Sequence, residues 1–221
     1  MPDPFAQPHR DWFGVHTGPR TWVTTAGILA SMAWNRSGFD DLTARVAAHA
    51  AATSPGQLPT VATEADVVEA ERQLGFSLHP LLRKLYTDVA DGGFGPEYLL
   101  LPLFGADIDS VVGEYAAFTA EREKDQRIWP VGVVPVLTYG CGMYAGVDCT
   151  DPNGAVLLYE PNGGTENPAE AWFLDAEGLA AWLEAWIAGT GWYREESDLD
   201  EQPQELYLWR AAAARLAADA W

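Results

Sequence analysis

Reactive side chains are what this 221-residue sequence has least of: two cysteines, four histidines, and 13 basic residues against 32 acidic ones. The histidines, His9, His16, His49 and His79, all fall in the first 80 residues, far along the chain from Cys141 and Cys149. A cysteine nucleophile needs a nearby histidine and an electropositive setting to lower its pKa, and an acidic chain with this distribution offers neither. Zinc sites require clustered Cys and His, which two cysteines eight positions apart do not supply. On one strand those cysteines would stand about 26 Å apart at about 3.3 Å per residue, against a limit of about 7 Å between the Cα atoms of a disulfide. A hairpin between them would shorten that distance, but they read as free thiols of a reducing compartment.

The shortage of basic residues leaves a formal net charge of -19 and a pI near 4.3. Such a surface repels phosphate backbones and anionic lipid, so nucleic acid and membranes are disfavoured as partners. Long apolar runs are missing as well. The most apolar early segment, Trp22 to Trp34, is too short to cross a bilayer. The opening MPDPFAQPHRDWFG has no apolar run behind a basic start, so it does not read as a secretory signal and a cytoplasmic location is expected. No Gly-x-Ser-x-Gly nucleophile turn occurs. In the glycine-rich break Asp91-Gly92-Gly93-Phe94-Gly95 no lysine follows where a nucleotide-binding loop needs one, so it reads as a helix stop. The one catalytic device left to weigh is a carboxylate pair. Asp148 and Glu160 sit on adjacent predicted strands of a tryptophan-rich chain, and glycoside hydrolysis uses two such groups about 5 to 10 Å apart.

What is present is a foldable pattern, with 48% hydrophobic residues, enough for a proper core. Residues 1–36 carry proline, glycine and scattered tryptophan without periodicity and are set apart as an N-terminal extension. Phe39, Leu42, Val46 and Ala50 predict a helix closed by Ser54-Pro55-Gly56, with His49 beside its apolar stripe as a packing or surface residue. The best-punctuated stretch runs from Thr63 to Leu103. Thr63 caps a helix with Asp66 as the acidic half of a capping box, and Gly75 ends it. Pro80 starts a second helix with Leu82, Leu85, Tyr86 and Val89 on one face. Tyr98 to Leu101 then reads as a short strand. Asp107 or Asp109 starts a further helix carrying Val112, Tyr115, Ala116 and Thr119, closed by the charged run from Glu121.

Three strands follow, Val133 to Tyr139, Met143 to Cys149 and Ala155 to Pro161, with glycine- and asparagine-bearing joints that favour antiparallel hairpins. Alternation along the middle strand points Tyr144, Gly146 and Asp148 to one face, expected to border a groove. Asp175 opens the clearest helix, with Leu179, Trp182, Leu183, Trp186 and Ile187 at helical spacing and glycines at its end; its tryptophans read as core rather than as a ligand box. Residues 193–221 read as an acidic linker and an alanine-rich helix from Leu206 to Trp221. The central domain is placed at 37–192.

The order of these parts resembles the SUKH superfamily, which contains fungal cell-wall assembly regulators and many bacterial immunity proteins. TEADVVEAERQLGF, the helix ending in DGGFG, the LLPL segment, Trp129-Pro130-Val131-Gly132, YAGVDCTDPNGAVLLYEPN and FLDAEGLAAWLEAWIAG carry the resemblance over about residues 60–190. It implies an α+β fold, an antiparallel sheet of about four to six strands packed by helices, and a non-enzymatic protein-binding role without cofactor, metal or catalytic residue. An immunity protein neutralising a basic toxin domain fits the acidic charge, because opposite charge steers association. If the open sheet face makes the contact, Tyr139, Tyr144, Asp148, Tyr159 and Glu160 are the expected partner-binding residues, since aromatics anchor interfaces and carboxylates match basic partners. A regulatory scaffold and a carbohydrate-active enzyme using Asp148 and Glu160 are the alternatives.

Overall fold

Local signals decide the first half of the fold. The computed structural model describes residues 36–54, 56–96, 99–105, 109–120, 127–164, 166–191 and 206–217. Helix α1 (Arg36–Thr53) buries Leu42, Val46 and Ala50 completely, at the four-residue spacing of one face. Helix α2 (Glu64–Leu74) has the expected reciprocal box: Thr63 N–H donates to Asp66 Oδ2 at 2.8 Å and Asp66 N–H donates to Thr63 Oγ1 at 3.2 Å. Helix α3 (Pro80–Asp88) begins on its proline, and Nδ1 of His79 accepts from Leu81 N–H as its cap. Gly92 and Gly93 then take positive φ, 75° and 74°, while Asp91 Oδ1 receives Leu103 N–H at 2.8 Å. A side chain at Gly92 would run into the backbone of Leu100 and Leu101 at 2.6–2.7 Å, so the break needs glycine both for its φ and for the close passage of this loop.

The loop after it corrects one expectation. Residues 99–101 form no strand: Leu99 has φ 64°, and the backbone bonds go back to the glycine loop, Gly93 N–H to Leu100 O and Leu100 N–H to Phe94 O. Only Leu101 N–H reaches the sheet, at Val136 O. Tyr98 and Asp107 lie outside the described residues. Helix α4 (Val111–Ala120) is opened by Ser110 rather than Asp109, its Oγ accepting from Gly113 N–H. The charged run 121–126 also lies outside the described residues.

The described sheet has five strands in the order β1 (Val133–Gly140), β2 (Met143–Asp148), β3 (Val156–Tyr159), β4 (Trp172–Ala176) and β5 (Tyr207–Leu208), every neighbouring pair antiparallel. The fold is thus α+β, with a meandering sheet packed by helices. Helix α5 (Leu179–Ala188) packs on α1, α3 and β4, α2 packs on α4, and α4 lies against β1. Asp175 does not start α5; it belongs to β4 and accepts from Trp182 Nε1 at 2.8 Å. Nor is the stretch from Leu206 one helix. Leu206 to Leu208 extend along β4, and helix α6 starts only at Ala212, described as far as Ala217, because an apolar alternating start pairs with an open strand edge before the alanines take over.

Candidate functional site

Strand register decides which of the five expected partner-binding residues stand together. Tyr144 lies opposite Tyr159, and Tyr159 opposite Trp172, so the three rings form a row across β2, β3 and β4. Tyr139 precedes the β1–β2 turn and Glu160 follows Tyr159, which places Tyr139, Tyr144, Tyr159 and Glu160 at one end of the sheet. Asp148 is at the other end. Glu160 comes level with Met143, five residues along β2 from Asp148, so the two carboxylates are separated by about 16 Å at about 3.3 Å per residue. A glycosidase pair spans about 5 to 10 Å. The register therefore removes the geometry on which paired-carboxylate hydrolysis by Asp148 and Glu160 depends.

The gathered side chains are mostly beneath the surface. The Tyr144 hydroxyl donates to Glu114 Oε2 of α4 at 3.1 Å, and burial next to that carboxylate pushes it up to about 12. Phe118 of α4 meets the Tyr144 ring edge-on at 5.0 Å and stacks on Trp129 at 4.2 Å. Tyr159 is buried among Trp129, Trp172 and Phe118. Gly146 is closed over by Val133 and Trp129. The expected groove on the Tyr144–Gly146–Asp148 face is therefore filled by α4 and Trp129.

Above this floor is an exposed rim built by backbone caps. Glu160, itself buried, accepts Asn162 N–H at 2.6 Å and so starts the short 3-10 turn Pro161–Gly163. Asn162 Nδ2 donates to Cys141 O at 3.0 Å, tying that turn to the exposed Gly140-Cys141-Gly142 reversal. Asn167 accepts from Ala169 N–H and opens the next turn, Pro168–Ala171. Glu166 and Glu170 are exposed beside these loops, and Tyr139, Met143 and Tyr144, at the same end of the sheet, are half-buried.

At the opposite end Asp148 is 4% exposed and fully engaged. Its Oδ2 accepts from Arg215 Nη1 at 2.8 Å, its Oδ1 from Arg215 Nη2 at 3.2 Å, and Thr150 adds its N–H at 3.0 Å and its hydroxyl at 2.7 Å. The guanidinium also donates to Val131 O at 2.6 Å and lies over Trp209 at 5.6 Å. Gly132 makes room for it: φ is +82°, and a Cβ there would stand 2.5 Å from Thr150 Cγ2.

Nucleophile and metal chemistry find little support. Burial pushes the Cys149 thiol up to about 12, away from the thiolate a nucleophile needs. Cys141 and Cys149 are both free. Among the described residues no three His, Cys, Asp or Glu side chains gather to hold a metal ion, and no described helix is long and apolar enough to cross a membrane.

Residues 61–185, more than half of the chain, match the SMI1 / KNR4 family model, SUKH-1. The chain belongs to that family. No curated protein matches it. The SUKH-1 span takes in α2 through β4 and most of α5, and leaves out α1, β5 and α6. Asp148 therefore lies inside the SUKH-1 span, while the arginine that holds it comes from outside.

A further feature, readable in the sequence but absent from the expectations above, concerns charge placement. From Ile128 to Gly191 the SUKH-1 domain has no Lys, Arg or His, yet it carries eight carboxylates there. This stretch contains β1 to β4 and α5. Among the described residues, arginines from other segments meet Glu184, by Arg45 at 2.5 Å, and Asp148, by Arg215. A tally of charge along the chain, rather than over the whole of it, is the signal that finds this.

Proposed function

We propose that this SUKH-1 domain is a non-enzymatic binding protein of the immunity type, neutralising a basic toxin domain by direct contact in the cytoplasm. The observation that carries the reading is the 64-residue stretch without a basic side chain, whose Glu166, Glu170 and Glu177 are exposed. Partners of opposite sign gain association rate from such a surface, and like-charged competitors are turned away. The rim at the β1–β2 end is a suitable contact: its loops are fixed by side-chain caps, so little ordering entropy is lost on binding. Tyr139 and Tyr144 stand at the same end of the sheet, and Tyr159 and Glu160 hold its floor and its turn in shape. The wide separation of Asp148 from Glu160 favours binding over hydrolysis as the task of this sheet.

The test is co-expression with a toxic basic domain encoded beside its gene. Growth should be restored, and the purified pair should associate at low salt and weaken as ionic strength rises, as screening requires. A toxin that still kills, together with no complex even at low salt, would overturn the reading. Glu166→Lys with Glu170→Lys should slow association at least tenfold and leave the fold intact by circular dichroism.

A further inference from the structure

The segment 206–217 is attached in an uneven way. Among the described residues strand β5 is two residues long, paired at Phe173–Leu208 and Leu174–Tyr207, and Trp209 N–H adds one bond to Trp172 O. Two-residue pairing is marginal by itself. Tyr207 is 43% exposed, and Leu208, Trp209 and Leu216 are only half-buried. Against this weak strand stand two specific seats. Leu206 enters a small apolar cluster with Leu158 and Phe173, separate from the main core, and Arg215 enters the Asp148 receptor with its bonds to Asp148, Thr150 and Val131. Both seats lie within the family-matched span, and the strap that fills them lies outside it.

We infer that residues 206–217 are a replaceable strap, and that the seat beneath them is a docking site for an arginine-bearing segment of a basic protein, a short strand followed by a helical turn. The inference rests on the protein-binding reading and adds the place and the chemistry of one contact. The strand of an incoming segment hydrogen-bonds along the β4 edge and sets an apolar residue against Leu158 and Phe173, and the helical turn after it delivers a guanidinium to Asp148 as Arg215 leaves. The exchange conserves the one interaction that cannot be left unmade, since a buried carboxylate without a cation is strongly unfavourable. Charge supports this occupant: the whole seat belongs to the stretch that has no base of its own.

The probe is a synthetic peptide with the sequence of residues 206–217, titrated into the full-length chain and followed by fluorescence anisotropy. The intact chain should bind it weakly, because its own strap competes. The full-length R215A chain, its strap unanchored, should bind it at least tenfold more tightly, and a peptide whose arginine is replaced by alanine should lose that gain. A folded R215A chain that binds no better than the intact one would overturn the proposal. If R215A fails to fold, amide exchange in the intact chain decides: the Trp209 amide should exchange at least a hundredfold faster than the amides pairing β2 with β3, and equal rates would show the strap to be inseparable. Locking the strap by a Leu174→Cys/Tyr207→Cys disulfide across a register pair should abolish peptide binding. Unchanged binding would overturn the seat. A toxin domain that binds the locked and open chains equally would overturn this seat alone and leave the immunity reading standing.

Discussion

The helical half and the sheet half of this protein handle the same acidity in opposite ways. In α1 to α3 each basic side chain with a described ion pair has its carboxylate close by in sequence or in space: Arg45 with Asp41, Arg72 with Glu69, Arg83 with Glu64 and Glu71, Lys84 with Asp40 and Asp88. In the sheet half there is no base between Ile128 and Gly191, and cohesion comes from rings: Phe118, Trp129, Tyr144, Tyr159, Trp172 and Trp209 touch in sequence across it. The difference teaches where the ion pairs of the fold are made within neighbouring helices and where packing takes over from charge. Exposed ion pairs contribute little to stability, typically well under 1 kcal/mol, so the helical half loses little if they go. Removing aromatic burial from the sheet half costs far more.

The sharpest test of that contrast is Trp129→Ala. Trp129 is 1% exposed, donates from Nε1 to Val133 O at 2.8 Å, and contacts Phe118, Tyr159 and Trp172. Its loss should lower stability by about 4 kcal/mol in urea denaturation, the range for a buried aromatic truncated to alanine. A loss below about 1 kcal/mol would mean that the ring row does not hold the sheet half together.

The joint between the halves gives an intermediate effect and a pH dependence. His79 caps α3 through Nδ1, and its Nε2 donates to Pro152 O in the β2–β3 turn, an arrangement that requires the neutral ring. Burial holds its pKa below the ordinary value of 6.5. The folded state thus resists a proton that the unfolded chain accepts, so the His79 contribution is complete above pH 6.5 and is lost as pH falls below it. His79→Asn keeps a good helix cap and removes the titration. Between pH 7 and 5.5 the parent chain should lose stability that the variant keeps; parallel urea midpoints across that range would break the assignment.

The smallest effect belongs to the helical surface. Arg45→Ala removes contacts to Asp41 and Glu184 that are exposed on both sides. Its cost should be about 0.5 kcal/mol at low salt and should vanish at 1 M salt. A cost several times larger would place Arg45 with the sheet half as a necessary external cation.

How much was legible in advance follows the range of the forces involved. The Thr63–Asp66 box, the proline start at Pro80, the Asp91-Gly92-Gly93 stop and the β1, β2 and β3 strands follow from bonds and steric limits acting within a few residues. Strand β4 was hidden because Trp172–Ala176 runs almost directly into α5 and its apolar residues suit either period. Strand β5 has two residues and exists only because an unpaired edge stands beside it. In the middle strand, alternation placed the candidates Tyr144 and Asp148 on one face with Gly146, yet it could not say that α4 and Trp129 fill that face.

The sequence by itself determined the family, the helix boundaries with their own caps, the antiparallel hairpins and the uneven supply of charge, since each is written in neighbouring residues or in composition. Only the tertiary structure decided that Asp148 and Glu160 stand at opposite ends of a hairpin, and that Asp148 is claimed by an arginine 67 residues away. The physical reason is that pairing over such a separation depends on strand register and on the closure of the whole chain, which no local spacing encodes.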